Sequence, residues 1–554
     1  MTIRARAYRA SHAPHQALDA ALTEVHAQLS SASPELKSNV TELARTVHLP
    51  VAHLRGALSS FDDSKIPPDA IRVCAGTSCM LAGGGDLAQE LTKTHICRPV
   101  YCLGYCDRSP VAMAASGKVL PRLSRASLEQ LRGKTIPPHP VPPSIRCTSR
   151  QAVVTARIGA PDGDPSHTPE YTGLRAALLR SPAEVIEMVL QAGTRGRGGA
   201  AYPTGRKWQL AAAAPAEPRF VVANGDEGDP GSFIDRELME RDPHAILEGM
   251  AICAHAIGAS RGIVFIRSEY PVAASVMQAA VDAATQVGLL GTDALGAGKG
   301  FKVEIIRGMG SYVCGEETAL LAAIEGQRGE VRPRPPYPVE AGLFGLPTVV
   351  DNVETLVNVP WIMQHGAAAY AAMGSGDSKG TKALCFSSGF ANPGIVEVEF
   401  GVTLREAIES LGGGGADGRG VEAVLLGGPM GSIVSPDQWD VPVCFAAMGR
   451  KGINLGHGGL VALLHPVDWK KVMSHLLSFM RHESCGKCVP CRLGSQRVHE
   501  LAKEGLNGHN INAFRGVLSL MKDASLCAFG RETPGPIATI LERFGDRVIG
   551  GAAS

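Results

Sequence analysis

The run ESCGKCVPCR sets Cys485, Cys488 and Cys491 at strict three-residue spacing, and a fourth cysteine, Cys527, follows in DASLCAFG. Three thiolates within barely two turns of backbone can all face one small object, so this stretch must fold around something. A cubane of four irons and four sulfides takes four cysteines, commonly three from a compact loop and one from a distant segment. Zinc instead favours paired C-x2-C hooks, or cysteine with histidine, two ligands from each arm. The 3+1 pattern therefore predicts a 4Fe–4S centre on Cys485, Cys488, Cys491 and Cys527, and electron-transfer chemistry with it.

A second set lies near the N-terminus. Cys74 and Cys79 stand as C-x4-C, and Cys102 and Cys106 as C-x3-C in YCLGYCDRSP. Two pairs on two loops suit a 2Fe–2S rhomb, two thiolates per iron. Zinc uses two pairs as well and stays open as the alternative. Cys97 falls outside either pair and reads as a buried bystander. The fourteen cysteines cluster in metal-type spacings, which fits a reducing compartment rather than a disulfide scaffold. No secretory signal follows the early arginines, and no apolar run approaches the ~20 residues that span a bilayer. A cytoplasmic protein without direct membrane insertion is expected. The net charge of +1 disfavours nucleic acid as a partner.

A chain of 554 residues has room for about three or four domains. Residues 16–60 carry helical periodicity, with Pro50 opening a new helix. AIRVCAG, GDLAQELTKT and RPVYCLG then read as strand, helix and strand. KTIPPHPVPPS, residues 134–144, is the linker candidate. Beyond it VVAN, GIVFIR and KVEIIR are strand-like, and PAEVIEMVLQAG is a helix with a terminal glycine. Residues 383–445 read as short strands around the helix VTLREAIESLG, with GGGGADGRG as an exposed turn, and helices dominate after His465.

Glycine loops punctuate the middle of the chain. In GTRGRGGAAYPTGRKW, Gly196, Gly198 and Gly199 remove side chains where a backbone must approach a ligand, with Arg197, Arg206 and Lys207 nearby. It is not a clean G-x-G-x-x-G after a strand, so an ordinary Rossmann dinucleotide unit is not the natural inference. ANGDEGDPGSF places Asn224, Asp226, Glu227 and Asp229 after a strand, where they could bond a heteroaromatic ring and sugar hydroxyls. GMGSYVCGEETALL presents its glycines at a helix start, and PTVVDNVET supplies Asp351 and Asn352. Several such loops in one domain suggest a flat, nucleotide-sized cofactor. Chemistry that accepts a hydride and passes single electrons to an iron–sulfur cluster needs a flavin between them.

GRGGAAYPTGRKW, NGDEGDPGSF, GSYVCGEETALL, RPRPPYP, LPTVVDNVET and ESCGKCVPCR followed by SLC together strongly resemble the flavin-bearing, NADH-oxidising subunit of respiratory complex I. They equally resemble its soluble relatives in NAD-dependent formate dehydrogenases and NAD-reducing NiFe hydrogenases. The N-terminal block looks like the family's small thioredoxin-like 2Fe–2S subunit, fused in front. Such fusions point to the formate dehydrogenase and hydrogenase relatives rather than to complex I. The resemblance implies an α/β multidomain protein: an N-terminal helical region (1–66), a thioredoxin-like domain (67–133), a Pro-rich linker (134–146) and an α/β FMN/NAD-binding domain (147–375). A β-grasp, ubiquitin-like insert (376–464) and a C-terminal helical bundle holding the 4Fe–4S cluster (465–554) complete it.

The same resemblance implies FMN contacts from Gly196, Arg197, Gly198, Gly199, Lys207, Asn224, Asp226, Tyr312, Gly315, Glu316, Asp351 and Asn352. It implies NAD(H) contacts from Tyr202, Asp229, Glu317 and Tyr337, with Asp229 and Glu227 forming the environment in which hydride passes between NAD(H) and FMN. Its implied partners are the iron–sulfur and catalytic subunits of a larger redox complex. The sequence departs from the family pattern at several of these sites. Tyr202 and Tyr337 replace the usual phenylalanine, Asp229 a common glutamate and Arg334 a lysine. Asp351 replaces an asparagine close to the expected flavin phosphate, where a carboxylate is unfavourable unless a cation or hydrogen bond offsets it. That residue keeps a second reading open, a flavin-less relay subunit. The two N-terminal pairs are also only 22 residues apart, shorter than the family pattern leads one to expect.

Overall fold

The computed structural model describes residues 40–46, 50–67, 69–127, 141–158, 169–294, 296 and 299–549. Residues 1–39 of the expected N-terminal helical region, and 134–140 of the expected linker, lie outside the described residues. The remainder of the first region contains the helices Val40–Thr46 and Val51–Ser59. Pro50 stands just before the second, where a missing N–H costs nothing.

The N-terminal cysteines sit on a small mixed sheet. Its strands are β1 (Ile71–Cys74), β2 (Cys97–Val100), β3 (Ala112–Met113) and β4 (Val119–Leu120), in the order β2-β1-β3-β4. β1 and β2 are parallel, as the crossover through the helix Gly84–Leu91 requires. A fifth strand, β5 (Ile145–Cys147), follows.

The central block is a parallel sheet of β6 (Phe220–Gly225), β7 (Arg261–Ile266), β8 (Lys302–Arg307) and β9 (Thr348–Asn352) in the order β8-β7-β6-β9. β6 and β7 are buried almost throughout, which is why they read as continuous β-branched and aromatic runs without alternation. The chain winds outward from β6 to β8, then returns to place β9 on the other side of β6. That reversal is a topological switch point, where the carboxyl ends of neighbouring strands open a crevice. The parallel register pairs Ala223 with Asp351 and Asn224 with Asn352. The two carboxamide loops picked out in the sequence therefore start side by side.

After a two-stranded ribbon, β10 (Gly374–Ser375) and β11 (Ser378–Lys379), the next sheet contains β12 (Thr381–Phe386), β13 (Gly394–Glu399), β14 (Val421–Leu426), β15 (Ser432–Val434) and β16 (Gly459–Leu464). Its order is β15-β14-β16-β12-β13-β5. β5, drawn from the junction of the expected linker and central domain, is thus an edge strand of this later sheet. The buried Glu397 carboxylate fastens the following turn by accepting the N–H groups of Val153, Val154 and Thr155, each at 2.9 Å. No element in the sequence neighbourhood of β5 announces that pairing.

The C-terminal part is helical, with Trp469–Glu483, Val489–Glu504, Ile511–Ala524 and Pro534–Arg543 packed around an apolar core shared with one face of β14, β15 and β16. No helix among the described residues is long and apolar enough to cross a membrane.

Candidate cofactor site and cysteine clusters

The loop after β6 is built at close quarters. Asn224 donates its amide to the Gly315 carbonyl at 2.8 Å and accepts the Asp226 N–H at 3.1 Å, joining the loop to the turn Tyr312–Gly315. Gly228 must be glycine, because a Cβ there would stand 2.6 Å from the Tyr312 ring. Tyr312 in turn donates its hydroxyl to Asp229 at 2.5 Å. Asp226 has a buried side chain whose nearest cation, Arg267, is 4.0 Å away. Burial pushes its carboxyl well above the usual range despite Arg267.

Glu227 is spoken for by the protein itself. Its two oxygens accept the N–H groups of Asp235 and Arg236, each at 3.1 Å, and the Tyr270 hydroxyl at 3.1 Å. His457, from the later sheet's Gly-His-Gly-Gly turn, lies between Glu227 at 3.4 Å and Asp235 at 3.1 Å. Burial alone would deprotonate this imidazole, but Asp235 and Glu227 hold it protonated well above its ordinary value. Asn352 closes the group, donating to Asp235 at 2.6 Å. Both Glu227 oxygens are therefore engaged by donors from the fold.

Lys207 comes from the helix Thr204–Ala213 and reaches the end of β9. Its ammonium donates to the Val350 carbonyl at 2.6 Å and to Asp351 at 3.0 Å, while the Trp208 indole donates to the other Asp351 oxygen at 2.8 Å. Burial opposes the charge on Lys207, but Asp351 and then Glu317 raise its pKa. Both Asp351 oxygens are thus taken up by a cation and an N–H donor. The unfavourable carboxylate expected from the sequence is offset within the fold.

The glycine loop is uneven in what it offers. Arg197 is fully buried and its guanidinium is spent within the fold, on the Tyr370 hydroxyl and the Lys379 carbonyl at 2.8 Å each and over the Phe400 ring at 4.7 Å. Gly196 and Gly199 differ: a Cβ on either would find no atom nearer than 3.6 Å, so no protein side chain fills the space beside them. Gly198 between them lies against Asn352, where a Cβ would stand 3.1 Å from the Asn352 side chain, so the loop offers bare backbone of the kind a flat ring with a phosphate tail needs. At the mouth, Tyr202 and Tyr337 are 45% and 51% exposed, free to present a ring face. Glu317 is bonded by Arg334 at 2.7 Å, and Arg334 also reaches Glu316 at 3.4 Å. Glu316 itself caps the helix Glu317–Ile324.

All four N-terminal pair cysteines are buried and converge: Cys74 and Cys102 sulfurs are 3.9 Å apart, and Cys102 and Cys106 3.4 Å. Cys97 packs in a separate apolar cluster with Ile71, Val73 and Leu91. At the C-terminal site Cys488 and Cys527 stand at the starts of the helices Val489–Glu504 and Ala528–Glu532, and Cys491 is close enough to feel the charge of the other three. Four sulfurs on one zinc would all lie about 3.8 Å apart at 2.3 Å bonds. Among the described residues, neither quartet contains three sulfurs within 4.8 Å of one another. Each quartet supplies the four thiol donors that an iron–sulfur cluster takes. An aromatic group of Tyr101, Phe479, Tyr312 and Phe529 packs between the two cysteine segments.

Family models match in two places, the Nuo51 FMN-binding domain over residues 189–361 and the NADH-ubiquinone oxidoreductase-F iron–sulfur binding region over 471–549. The chain is 41% identical over 378 residues to the NADP-reducing hydrogenase subunit HndC of Solidesulfovibrio fructosivorans, covering 68% of this chain and 77% of that one. The chain belongs to the Nuo51 family of NADH-quinone oxidoreductase and hydrogenase subunits. The corresponding NADH-quinone oxidoreductase subunit of Escherichia coli is 41% identical over 329 residues, 58% of this chain and 73% of that one. A chain of the NAD+-reducing [NiFe]-hydrogenase in its H2-reduced state superposes with a TM-score of 0.82 at 30% identity, covering 95% of this chain and 92% of that chain. The FMN expected of the central block and the 4Fe–4S cluster expected of the C-terminal helices are thus family cofactors.

The residues that sequence reasoning missed are Trp208, Asp235, His457 and Arg236. Only His457 had a local signal, a lone histidine in the glycine run LGHGG.

Proposed function

We propose that this protein is the NAD(H)-oxidising diaphorase subunit of a cytoplasmic, multi-subunit redox complex of the NAD-reducing hydrogenase type. One observation carries the choice. The solved NAD+-reducing hydrogenase chain superposes over 95% of this chain, a span that reaches into the N-terminal cysteine domain. A formate-oxidising partner is the alternative catalytic subunit. Bound FMN supplies the exchange between two-electron chemistry at NAD(H) and one-electron chemistry at the clusters.

The protein's own task is positioning. Lys207, fixed by Asp351, would hold the flavin phosphate. Gly196, Gly198, Gly199 and Gly315 would let the ring lie on bare backbone, and Asn224, Asp226 and Asn352 would bond its polar edge. Tyr202 and Tyr337 would stack on the adenine, with Asp229 and Glu317 facing the rest of the nucleotide. The N-terminal block, read as a thioredoxin-like domain, would hold a 2Fe–2S cluster on Cys74, Cys79, Cys102 and Cys106. The insert reads as a β-grasp domain. The offset of Asp351 by Lys207 and Trp208 removes the reason for a flavin-less reading.

The complex purified with its native partners should reduce NAD+ with hydrogen and oxidise NADH with an artificial acceptor. In this pose a 2′-phosphate would meet the carboxylates of Asp229 and Glu317, so kcat/KM for NADH should exceed that for NADPH by about tenfold or more. Equal efficiency with both would refute the nucleotide pose, and formate-driven activity without hydrogen-driven activity would refute the hydrogenase assignment.

The phosphate contact can be isolated with a double variant. Lys207→Met alone strands Asp351 as a buried charge, but Lys207→Met with Asp351→Asn removes both. The pair should fold normally and bind FMN about 10- to 150-fold more weakly, the worth of one charged hydrogen bond of ~1.5–3 kcal/mol. Fluorescence titration of released flavin measures it, and unchanged affinity would move the phosphate elsewhere.

A further inference from the structure

The Cys102–Cys106 loop is gripped from outside its own sheet. Gly231, on the loop after β6, donates its N–H to the Cys106 sulfur at 3.2 Å. Gly104 donates its N–H to the Cys102 sulfur at 3.4 Å, and the carbonyl of Gly104 accepts from Arg236 Nε at 3.1 Å. The Arg236 guanidinium lies 3.9 Å from the centre of the Tyr105 ring. Its side chain is 3% exposed and paired with Glu237 at 2.6 Å and Glu240 at 3.1 Å. Tyr270 presses on Gly104 as well: a Cβ there, at φ +74°, would stand 2.4 Å from the Tyr270 hydroxyl. The cysteine loop thus has no room of its own and is shaped by the segment that also carries Asp229.

We propose that Arg236 sets the reduction potential of the N-terminal cluster, making that centre a redox site divided between the cysteine domain and the central block. The inference rests on reading Cys74, Cys79, Cys102 and Cys106 as 2Fe–2S ligands. Reduction adds one electron to a centre whose thiolates are already negative. A buried cation beside the loop, with N–H donors on Cys102 and Cys106, favours the added charge more strongly than it would in water. Burial works against a charged guanidinium, but Glu237 and then Tyr105 and Glu240 hold Arg236 protonated. Arg241 shares Glu237 with Arg236, at 3.6 Å, so two cations balance the two glutamates. Deleting Arg236 strips Glu240 of this ion pair, leaves Glu237 to Arg241 and makes the surroundings of the cluster more negative, and deleting a glutamate does the opposite.

The test is a redox titration of the full chain in its native complex, with dithionite as reductant and both cluster signals followed by electron spin resonance. Arg236→Gln should shift the N-terminal midpoint to more negative potential, Glu240→Gln should shift it to more positive potential, and Arg236→Lys should stay near the wild type. The C-terminal cluster in the same samples is the internal control and should not move. Shifts of the same sign in Arg236→Gln and Glu240→Gln, no shift in either, or equal movement of both clusters would overturn the proposal. If Arg236→Gln fails to assemble the cluster, the sign of the Glu240→Gln shift decides alone. A wild-type chain that holds zinc and gives no 2Fe–2S signal would refute the underlying reading itself, an outcome distinct from an unshifted midpoint.

Discussion

Cys488→Ser should abolish electron delivery between this subunit and its partners while leaving FMN bound. Cys488 stands at the start of the helix Val489–Glu504, whereas Lys207, Asn224 and Asn352 belong to the central sheet and its loops, with the turn Tyr312–Gly315 packed between the two. Three remaining thiolates cannot complete a cubane that takes four. The helices around the site keep an apolar core, built on Trp469, Leu477, Val498, Phe514 and Ile540 against Leu425 and Leu463 of the neighbouring sheet, so loss of the cluster should not unfold them. NADH oxidation by an artificial two-electron acceptor should stay within about twofold of the wild type, because two-electron exchange at the flavin does not pass through the cluster. Transfer to the partner subunit should fall to background, and the C-terminal cluster signal should vanish with it. Undiminished delivery would mean that electrons leave by another route.

The largest effect on stability should come from Lys382→Met. Lys382 on β12 and Glu354 on the helix Val353–His365 are both fully buried and pair at 2.5 Å. A second Glu354 oxygen accepts the Ala383 N–H at 3.0 Å, so the pair ties the inserted sheet to the central block. Removing one partner leaves an uncompensated buried charge, a cost of about 3–5 kcal/mol. Replacing both with apolar residues removes the charge and its penalty together, so Lys382→Met with Glu354→Leu should recover most of the loss. Urea unfolding with a probe in each domain would show both effects. A single variant as stable as the wild type would show that the pair contributes no net fastening between the two domains.

Much of this molecule is legible from its sequence wherever the determining residues are neighbours in the chain. The spacing of Cys485, Cys488 and Cys491 identifies their chemistry because three ligands of one centre lie within seven residues. The runs that become β6 and β7 are readable because a strand buried on both faces needs nearly uninterrupted apolar side chains. The helix Pro182–Ala192 announces both ends, with a Ser181–Glu184 capping box and Gly193 in the left-handed conformation at its stop.

Other outcomes were settled only when distant segments met. Whether the Asp351 carboxylate is offset depends on Lys207, 144 residues away. Arg197 looks like a ligand contact in its glycine loop, yet its guanidinium goes to Tyr370 and Lys379, more than 170 residues on. Both Glu227 oxygens are engaged by the fold, and His457 arrives from another sheet to share their charge. The strand β5 joined a sheet whose other members begin more than 200 residues later. Apolar periodicity and ligand spacing are local codes, written in the order of the chain. The pairing of a buried charge is not, because in a low-dielectric interior each ion takes whichever partner the fold brings within about 3–4 Å, at any separation in sequence.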